Sequence, residues 1–342
     1  MRKRQFLGFI LTLSLGFTAA PAMLPQDQPP EKGITAKELL HLPEVAPSPA
    51  DNLLTAEKAA LGRQLFFDPR LSGDNSVSCA TCHLPDKALT DGLVRAKGAG
   101  GKELTRNTPT LLNVGFYSAY FGDGRASSLE EQALFPIQSP EEMNQDLTSL
   151  EKELNAIPGY VSQFQLAFES RATRTNIAKA LAAFQRTLVS RNSPFDRYLA
   201  GDKKSLSEEA QHGWELFRGE ARCVTCHAGP SFSDSKFYRL GTTFRDPGRR
   251  AITGERRDNY AFRTPGLRDV ARTAPYMHNG SFERLDQVVE FYYRGVPSSS
   301  PDGLPLSIGS LLGQSFSEIP SIVAFLEALS GETPQVSPPT LP

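Results

Sequence analysis

Two stretches of the chain carry cysteine and histidine at matched spacing, Ser78-Cys79-Ala80-Thr81-Cys82-His83 and Arg222-Cys223-Val224-Thr225-Cys226-His227. In each Cys-x-x-Cys-His unit two thiols can form thioether bonds to the vinyl groups of a haem, while the adjacent imidazole becomes an axial ligand of its iron. A four-thiolate zinc site, a thioredoxin-like redox pair and two structural disulfides are the competing uses of such cysteines. None of these needs a histidine directly after the second cysteine, and with 5 histidines in 342 residues chance rarely places one there twice. Two covalent c-type haems are therefore expected, and they take up all four cysteines.

The elements that must position these motifs read as helices. Thr55 is a candidate N-cap for a helix carrying Leu61 and Leu65 at i, i+4 spacing before Pro69 stops it, and Ser207 can cap a helix through Ala210, Trp214 and Phe217. Gly62-x-x-Leu65-Phe66 ahead of the first motif is matched by Gly213-x-x-Leu216-Phe217 ahead of the second, a weak internal repeat. Ser127 with Glu130, and Thr148 with Glu151, read as capping boxes. Helical periodicity recurs at Ile177, Leu181, Phe184 and Leu188, at Leu285, Val288, Val289 and Tyr292, and at Ile322, Phe325, Leu326 and Leu329. The stretch Gly229 to Gly266 gives no clear pattern. The fold expected is mostly α, with two cytochrome c-like haem domains. The boundaries expected are a signal peptide over 1–22, an arm or linker over 23–50, an N-terminal haem domain over 51–195, a C-terminal one over 196–331 and a disordered tail over 332–342.

Charge and address narrow the function. With 37 basic and 38 acidic residues and a formal net charge of -1, the chain has no electrostatic footprint for nucleic acid. Arg2-Lys3-Arg4, the apolar run Phe6 to Phe17 and Ala20-Pro21-Ala22 have the three parts of a cleaved secretory signal. The apolar run is short for a transmembrane helix, so no stable membrane anchor is expected. The periplasm is the expected address, because haem attachment of this type is completed outside the cytoplasm.

Further motifs sharpen the reading. Arg106-Asn107-Thr108-Pro109-Thr110, Asp123-Gly124-Arg125-Ala126, Leu129-Glu130-Glu131-Gln132-Ala133, Glu142-Met143 and Thr273-Ala274-Pro275-Tyr276-Met277-His278 resemble the bacterial dihaem cytochrome c peroxidase superfamily over about residues 55 to 330. The resemblance implies catalysis at the first haem, held through Cys79, Cys82 and His83, with Gln132 and Glu142 in the distal pocket. A carboxylate there could take a proton from the near oxygen of peroxide and give one to the leaving oxygen. Taken by itself, Glu142 would read as a solvated charge beside Glu141.

Two departures place the chain within that superfamily. In its better-known members a histidine after the first motif caps the iron until reduction, but here no histidine occurs from Leu84 to Gln211. The first haem is thus expected to be open to peroxide without prior reduction. At the second haem, held through Cys223, Cys226 and His227, the place of the usual axial methionine falls on Tyr292, as in the MauG-like branch. A phenolate favours oxidised iron, where a thioether favours the ferrous state. Met277 is a rival ligand, Tyr293 a neighbour that could be mistaken for it, and His278 resembles a hydrogen-bonding residue beside the second haem. The resemblance also implies a calcium ion held by the Asn107 side chain and the carbonyls of Thr273 and Pro275. A third departure is Gly122, where the family typically has a tryptophan between the haems. The missing ring leaves either a void, which water could fill only if polar partners are present, or space that Phe121, Tyr120 or Trp214 fills.

The function expected is a periplasmic dihaem oxidoreductase that uses hydrogen peroxide. Its electrons would come from a small cytochrome c or cupredoxin, or from a tyrosine or tryptophan of a protein substrate. The alternative is a dihaem electron carrier without peroxide chemistry, which needs neither an open iron position nor a distal carboxylate.

Overall fold

A computed structural model of the chain describes residues 40–295, 300–304, 306 and 315–342. The expected signal peptide and most of the arm lie outside the described residues. Helices predominate: α1 (Ala56–Phe67), α2 (Cys79–Cys82), α3 (Leu129–Gln138), α4 (Leu147–Ala156), α5 (Pro158–Phe168), α6 (Arg174–Arg186), α7 (Pro194–Leu199), α8 (Glu208–Arg218), α9 (Arg250–Thr253), α10 (Leu285–Arg294) and α11 (Ile319–Glu327). Strands β1 (Phe237–Arg239) and β2 (Ala261–Arg263) pair antiparallel inside the stretch whose sequence shows no pattern. No helix among the described residues is long and apolar enough to cross a membrane.

The apolar side chains gather into two main cores. One is built from Leu61 to Leu188, with Cys79 and Ala80 packed against it; the other is built from Leu40 and Phe195 to Leu329, with Cys223 and Val224 against it. Each core rests on one close helix pair, α1 on α6 and α8 on α11. The repeated glycine explains the closeness. A Cβ on Gly62 would lie 1.9 Å from the Ala180 carbonyl oxygen, and one on Gly213 would lie 1.8 Å from that of Ser321. Backbone cannot yield there as a side-chain tip can. Gly62→Ala or Gly213→Ala should therefore cost about 3 kcal/mol, the upper end of ordinary overpacking. Denaturant midpoints measure this, and a wild-type midpoint in either variant would refute it.

The structure extends the internal repeat well past that glycine. Arg106-Asn107-Thr108-Pro109 returns as Phe262-Arg263-Thr264-Pro265, and one constant offset then runs without insertion to Leu129 and Leu285. Backbone detail follows the offset. Asn113 and Asp269 have φ of 60° and 59°, Phe121 and Met277 62° and 68°, and Gly124 and Gly280 72° and 64°. The bridge Tyr120 to Ala126 matches Tyr276 to Phe282, and α3 and α10 each contain 10 residues. Under this offset Gly122 pairs with His278, Asn107 with Arg263 and Pro136 with Tyr292.

Two expectations about the chain ends are corrected. The tail over 332–342, expected to be disordered, is held in place. Glu332 exchanges both backbone hydrogen bonds with Arg191, Arg63 donates to the Ser337 carbonyl at 3.1 Å, and the Arg70 guanidinium donates to the Pro342 carbonyl at 3.2 Å. Its proline and serine content suggested disorder, but Val336 packs against the first core and arginines satisfy its carbonyls. The end of the arm is likewise no free linker: Leu40 enters the second core, and Leu42 and Ala46 pack with Val189.

Candidate functional site

Each haem motif is a single tight turn. Ser78 and Thr81 form a capping box around α2, and the His83 N–H donates to the Cys79 carbonyl at 2.9 Å, closing one helical turn. The second motif is a 3-10 turn over Cys223–Thr225, again closed by the His227 N–H on the Cys223 carbonyl at 2.9 Å. Both imidazoles are held the same way. His83 Nδ1 lies 2.9 Å from the Leu89 carbonyl, and His227 Nδ1 lies 2.9 Å from that of Phe232. A proton on Nδ1 in that bond leaves the Nε2 lone pair free, the arrangement an iron-ligating histidine needs. Burial pushes both imidazoles toward the neutral form, against the carbonyls of Leu89 and Phe232 and then of Pro109 and Pro265, which favour the cation. The two prolines are partners in the repeat.

The thiols suit none of the competing uses. All four are unpaired, and among the described residues no three His, Cys, Asp or Glu side chains converge as a metal cluster. Burial pushes Cys79 and Cys223 up to about 12 and Cys82 to about 11, whereas a redox-active pair needs a depressed value. Both cysteine pairs and their histidines thus fit a covalently held haem.

Glu142 faces the first motif, close enough to Cys82 for its charge to oppose ionisation of that thiol. The segment after α3 folds back to put it there. The Glu142 N–H donates to the Ser139 carbonyl, that of Met143 to Pro136 and that of Gln145 to Ile137, while the Ala99 N–H caps the Glu142 carbonyl at 2.7 Å. Half-buried, its carboxyl is pushed up by burial, against the pull of Arg125 and of a Ser139 hydrogen bond. Gln132 lies ten residues earlier, half-buried on α3, and its side-chain amide has no hydrogen-bond partner among the described residues. Pro136 has no N–H to give the Gln132 carbonyl, so α3 is locally opened at that residue.

Tyr292 lies against the second motif. Its phenol is pushed up first by burial and then by Cys223 and Cys226, and its hydroxyl has no hydrogen-bond partner among the described residues. Tyr293 is 3% exposed in the second core, within electrostatic reach of Cys223 alone of the two thiols, with its hydroxyl 3.5 Å from Glu318 Oε2. Asn107 bridges the two halves of the chain: its N–H donates to the His278 carbonyl at 2.8 Å and its Nδ2 to the Leu93 carbonyl at 2.6 Å. Asn107 Oδ1 has no hydrogen-bond partner among the described residues, the His278 carbonyl that accepts its N–H lies three residues after Pro275, and the Thr273 hydroxyl is spent on the Val270 carbonyl. A calcium ion would find one free amide oxygen and backbone carbonyls there, a donor set of the right hardness.

At Gly122 the filling ring differs from all three expected. A Cβ there would meet Phe262 Cδ1 at 3.4 Å and nothing else within 4 Å. Phe262 stacks on His278, with centroids 3.7 Å apart and planes 14° from parallel. Trp214 is locked among Phe195, Phe217 and Phe325 of the second core, Tyr120 is tied to the Tyr117 carbonyl, and Phe121 lies under Arg125 at 3.5 Å. Phe262 escaped the sequence reading because it sits in the patternless stretch. Its alignment with Arg106 was the available signal. Around the stack, Arg106 pairs with Asp123 at 2.6 Å and Asp246 at 2.8 Å. His278 Nε2 is shielded without a partner, and burial pushes the imidazole down to about 4.

Known proteins resemble this chain in sequence and fold. Residues 56–204 match the family described as di-haem cytochrome c peroxidase. The chain is 43% identical over 311 residues to the methylamine utilization protein MauG of Methylorubrum extorquens, covering 88% of this chain and 86% of that protein. It is 40% identical over 369 residues to the cytochrome-c peroxidase IdrP1 of Pseudomonas sp. strain SCT, covering 97% and 94%. A solved MauG-like protein associated with microbial copper homeostasis superposes with a TM-score of 0.75 at 31% identity, over 85% of this chain and 94% of that one. With relatives this similar spanning most of its length, the chain belongs to the di-haem cytochrome c peroxidase family.

Proposed function

We propose that this dihaem peroxidase-like oxidoreductase acts in the periplasm. In this reading it takes peroxide at a haem carried by residues 51–195 and draws electrons through a second haem carried by residues 196–331. Both haems would be covalent c-type groups. The observation that carries the reading is Glu142, half-buried and facing Cys82 in a half of the chain that holds no histidine to cap the iron.

The haems, when bound, supply an iron that accepts peroxide as a ligand and the electrons its cleavage consumes. The residues supply positions and protons. His83, oriented by the Leu89 carbonyl, offers Nε2 as the proximal ligand. Gln132 has a free amide to hold peroxide, and Glu142 takes the proton of the inner oxygen and returns it to the departing one. Two further protons and two electrons complete the conversion of one peroxide to two waters. His227 and Tyr292 would hold the second iron, and Asn107, Thr273 and Pro275 would hold calcium. A small cytochrome c, a cupredoxin or an oxidisable side chain on a protein substrate would provide the electrons.

Pyridine haemochrome analysis and intact mass should find two covalent haems, and only one in a Cys79→Ala, Cys82→Ala variant. The resting protein should contain one high-spin ferric haem that consumes peroxide in stopped flow without prior reduction. A bare polypeptide mass from a host competent in cytochrome c maturation would refute the reading, as would fully low-spin haems inert to peroxide.

The bridge residue gives a second expectation. With Phe262 rather than an indole beside Gly122, the oxidising equivalents left by peroxide should stay mainly in the first half of the chain. A tryptophan at 122 would displace Phe262 from His278, so Gly122→Trp needs Phe262→Ala beside it to fit. Mössbauer spectra after peroxide addition should show wider sharing between the irons in the double variant. Equal sharing already in the wild type would show that the missing indole does not matter.

A further inference from the structure

Burying an arginine is costly unless a carboxylate faces it, and four other arginines of the chain have one. Arg106 faces Asp123 and Asp246, Arg186 faces Glu130, Arg239 faces Asp302, and Arg268 faces Asp196. Arg263 on β2 does not. Its Nε is fully shielded with no hydrogen-bond partner among the described residues, and its Nη1 donates to the Thr264 carbonyl at 3.0 Å. The guanidinium lies 4.2 Å from the centre of the Tyr117 ring, and no carboxylate is within ion-pair distance among the described residues. Burial works against its charge, and only the phenols of Tyr117 and Tyr120 favour it. Arginine nevertheless stays charged, so the fold presents a desolvated cation with unused donors.

Its location indicates the missing anion. The Arg263 N–H donates to the Gly122 carbonyl at 2.7 Å, where the two halves of the chain meet. Two residues on, the Pro265 carbonyl lies against His227. The partner of Arg263 in the repeat is Asn107, two residues before Pro109, whose carbonyl lies against His83, so the same backbone path flanks both motifs. A haem fixed at either motif brings carboxylates of its own, its two propionates.

We propose that Arg263 is the counter-ion of a haem propionate, a positioning residue that fixes the charge and potential of that haem. A planar guanidinium with free donors matches a carboxylate in two parallel hydrogen bonds, which a lysine cannot do. The proposal rests on the dihaem reading above, and haem content separates the two. A wild type lacking two haems would overturn that reading; the outcomes below concern Arg263 alone.

The experiment is spectroelectrochemical titration at pH 7 of the wild type, Arg263→Gln and Arg263→Lys, resolving the two haems by their spectra. Removing the positive charge should favour the oxidised state of one haem. At fixed poise its reduced-to-oxidised ratio should fall about tenfold in Arg263→Gln, a shift of about 59 mV for a one-electron couple. Arg263→Lys should recover most of the shift. The haem that moves identifies whose propionate is held. Arg263→Gln with both haems, native helicity and both potentials unchanged would overturn the proposal, as would a lysine variant shifted as far as the glutamine one. If Arg263→Gln does not assemble with both haems, the lysine variant decides: near-wild-type potentials support the charge role, and the same failure to assemble refutes it.

Discussion

Tyr292→Met should raise the potential of the second haem by on the order of a few tenths of a volt, a substantial part of the range over which axial ligands set haem potentials. The expectation follows from where the phenol lies. It is within electrostatic reach of both Cys223 and Cys226, and its hydroxyl has no partner among the described residues. The repeat adds an independent reason: Tyr292 pairs with Pro136, a residue of the helix that Glu142 folds back against in the other half. An anionic oxygen stabilises ferric iron, and a thioether stabilises ferrous iron. The methionine variant should therefore become reducible by ordinary cytochrome donors. Tyr293→Phe is the control, because Tyr293 belongs to the apolar core. Redox titration of both variants tests the assignment, which fails if the potential moves in neither or moves equally in both.

Glu142→Gln should slow peroxide turnover by roughly 100-fold or more, the usual scale for losing a positioned acid and base. Glutamine keeps the shape and the polarity, so peroxide binding should survive while O–O cleavage does not. The pH profile carries a second signature. Burial raises the Glu142 pKa above the ordinary glutamate value, so the base form is lost as pH falls through that raised value. The acid limb of the rate should accordingly lie above that of an ordinary glutamate, and the glutamine variant should lose it. An unchanged single-turnover rate in Glu142→Gln would remove this carboxylate from the mechanism.

Legibility in the sequence followed the physics of each feature. Motifs that are local in the chain were readable: Thr55, Ser207 and the apolar periodicity of α6 and α11 lie where they were expected, because capping and periodicity involve only near neighbours. Features decided by distant partners were not. Ser127 and Glu130 looked like a capping box, but Glu130 is committed to Arg186 at 2.7 Å, so Glu131 reaches back to Ser127 and Ser128 becomes the cap. Thr148 lost its expected role to Asp146, while Glu151 accepts from the Arg174 N–H. Phe262 and Arg263 matter only through Gly122, His278 and Tyr117, none of them near in sequence. The order of the tail depends on arginines roughly as remote.

The unbroken register of residues 106–138 with residues 262–294 gives the molecule an internal control. A substitution in one of these segments has a counterpart in the other, on the same backbone path and in the same polypeptide, so differences in outcome report the local chemistry rather than the scaffold. The informative positions are those where the counterparts disagree: amide against guanidinium at Asn107 and Arg263, bare backbone against imidazole at Gly122 and His278, imino ring against phenol at Pro136 and Tyr292. Reciprocal exchanges at these three pairs would ask how few side chains separate a haem that meets a small oxidant from one that passes charge onward.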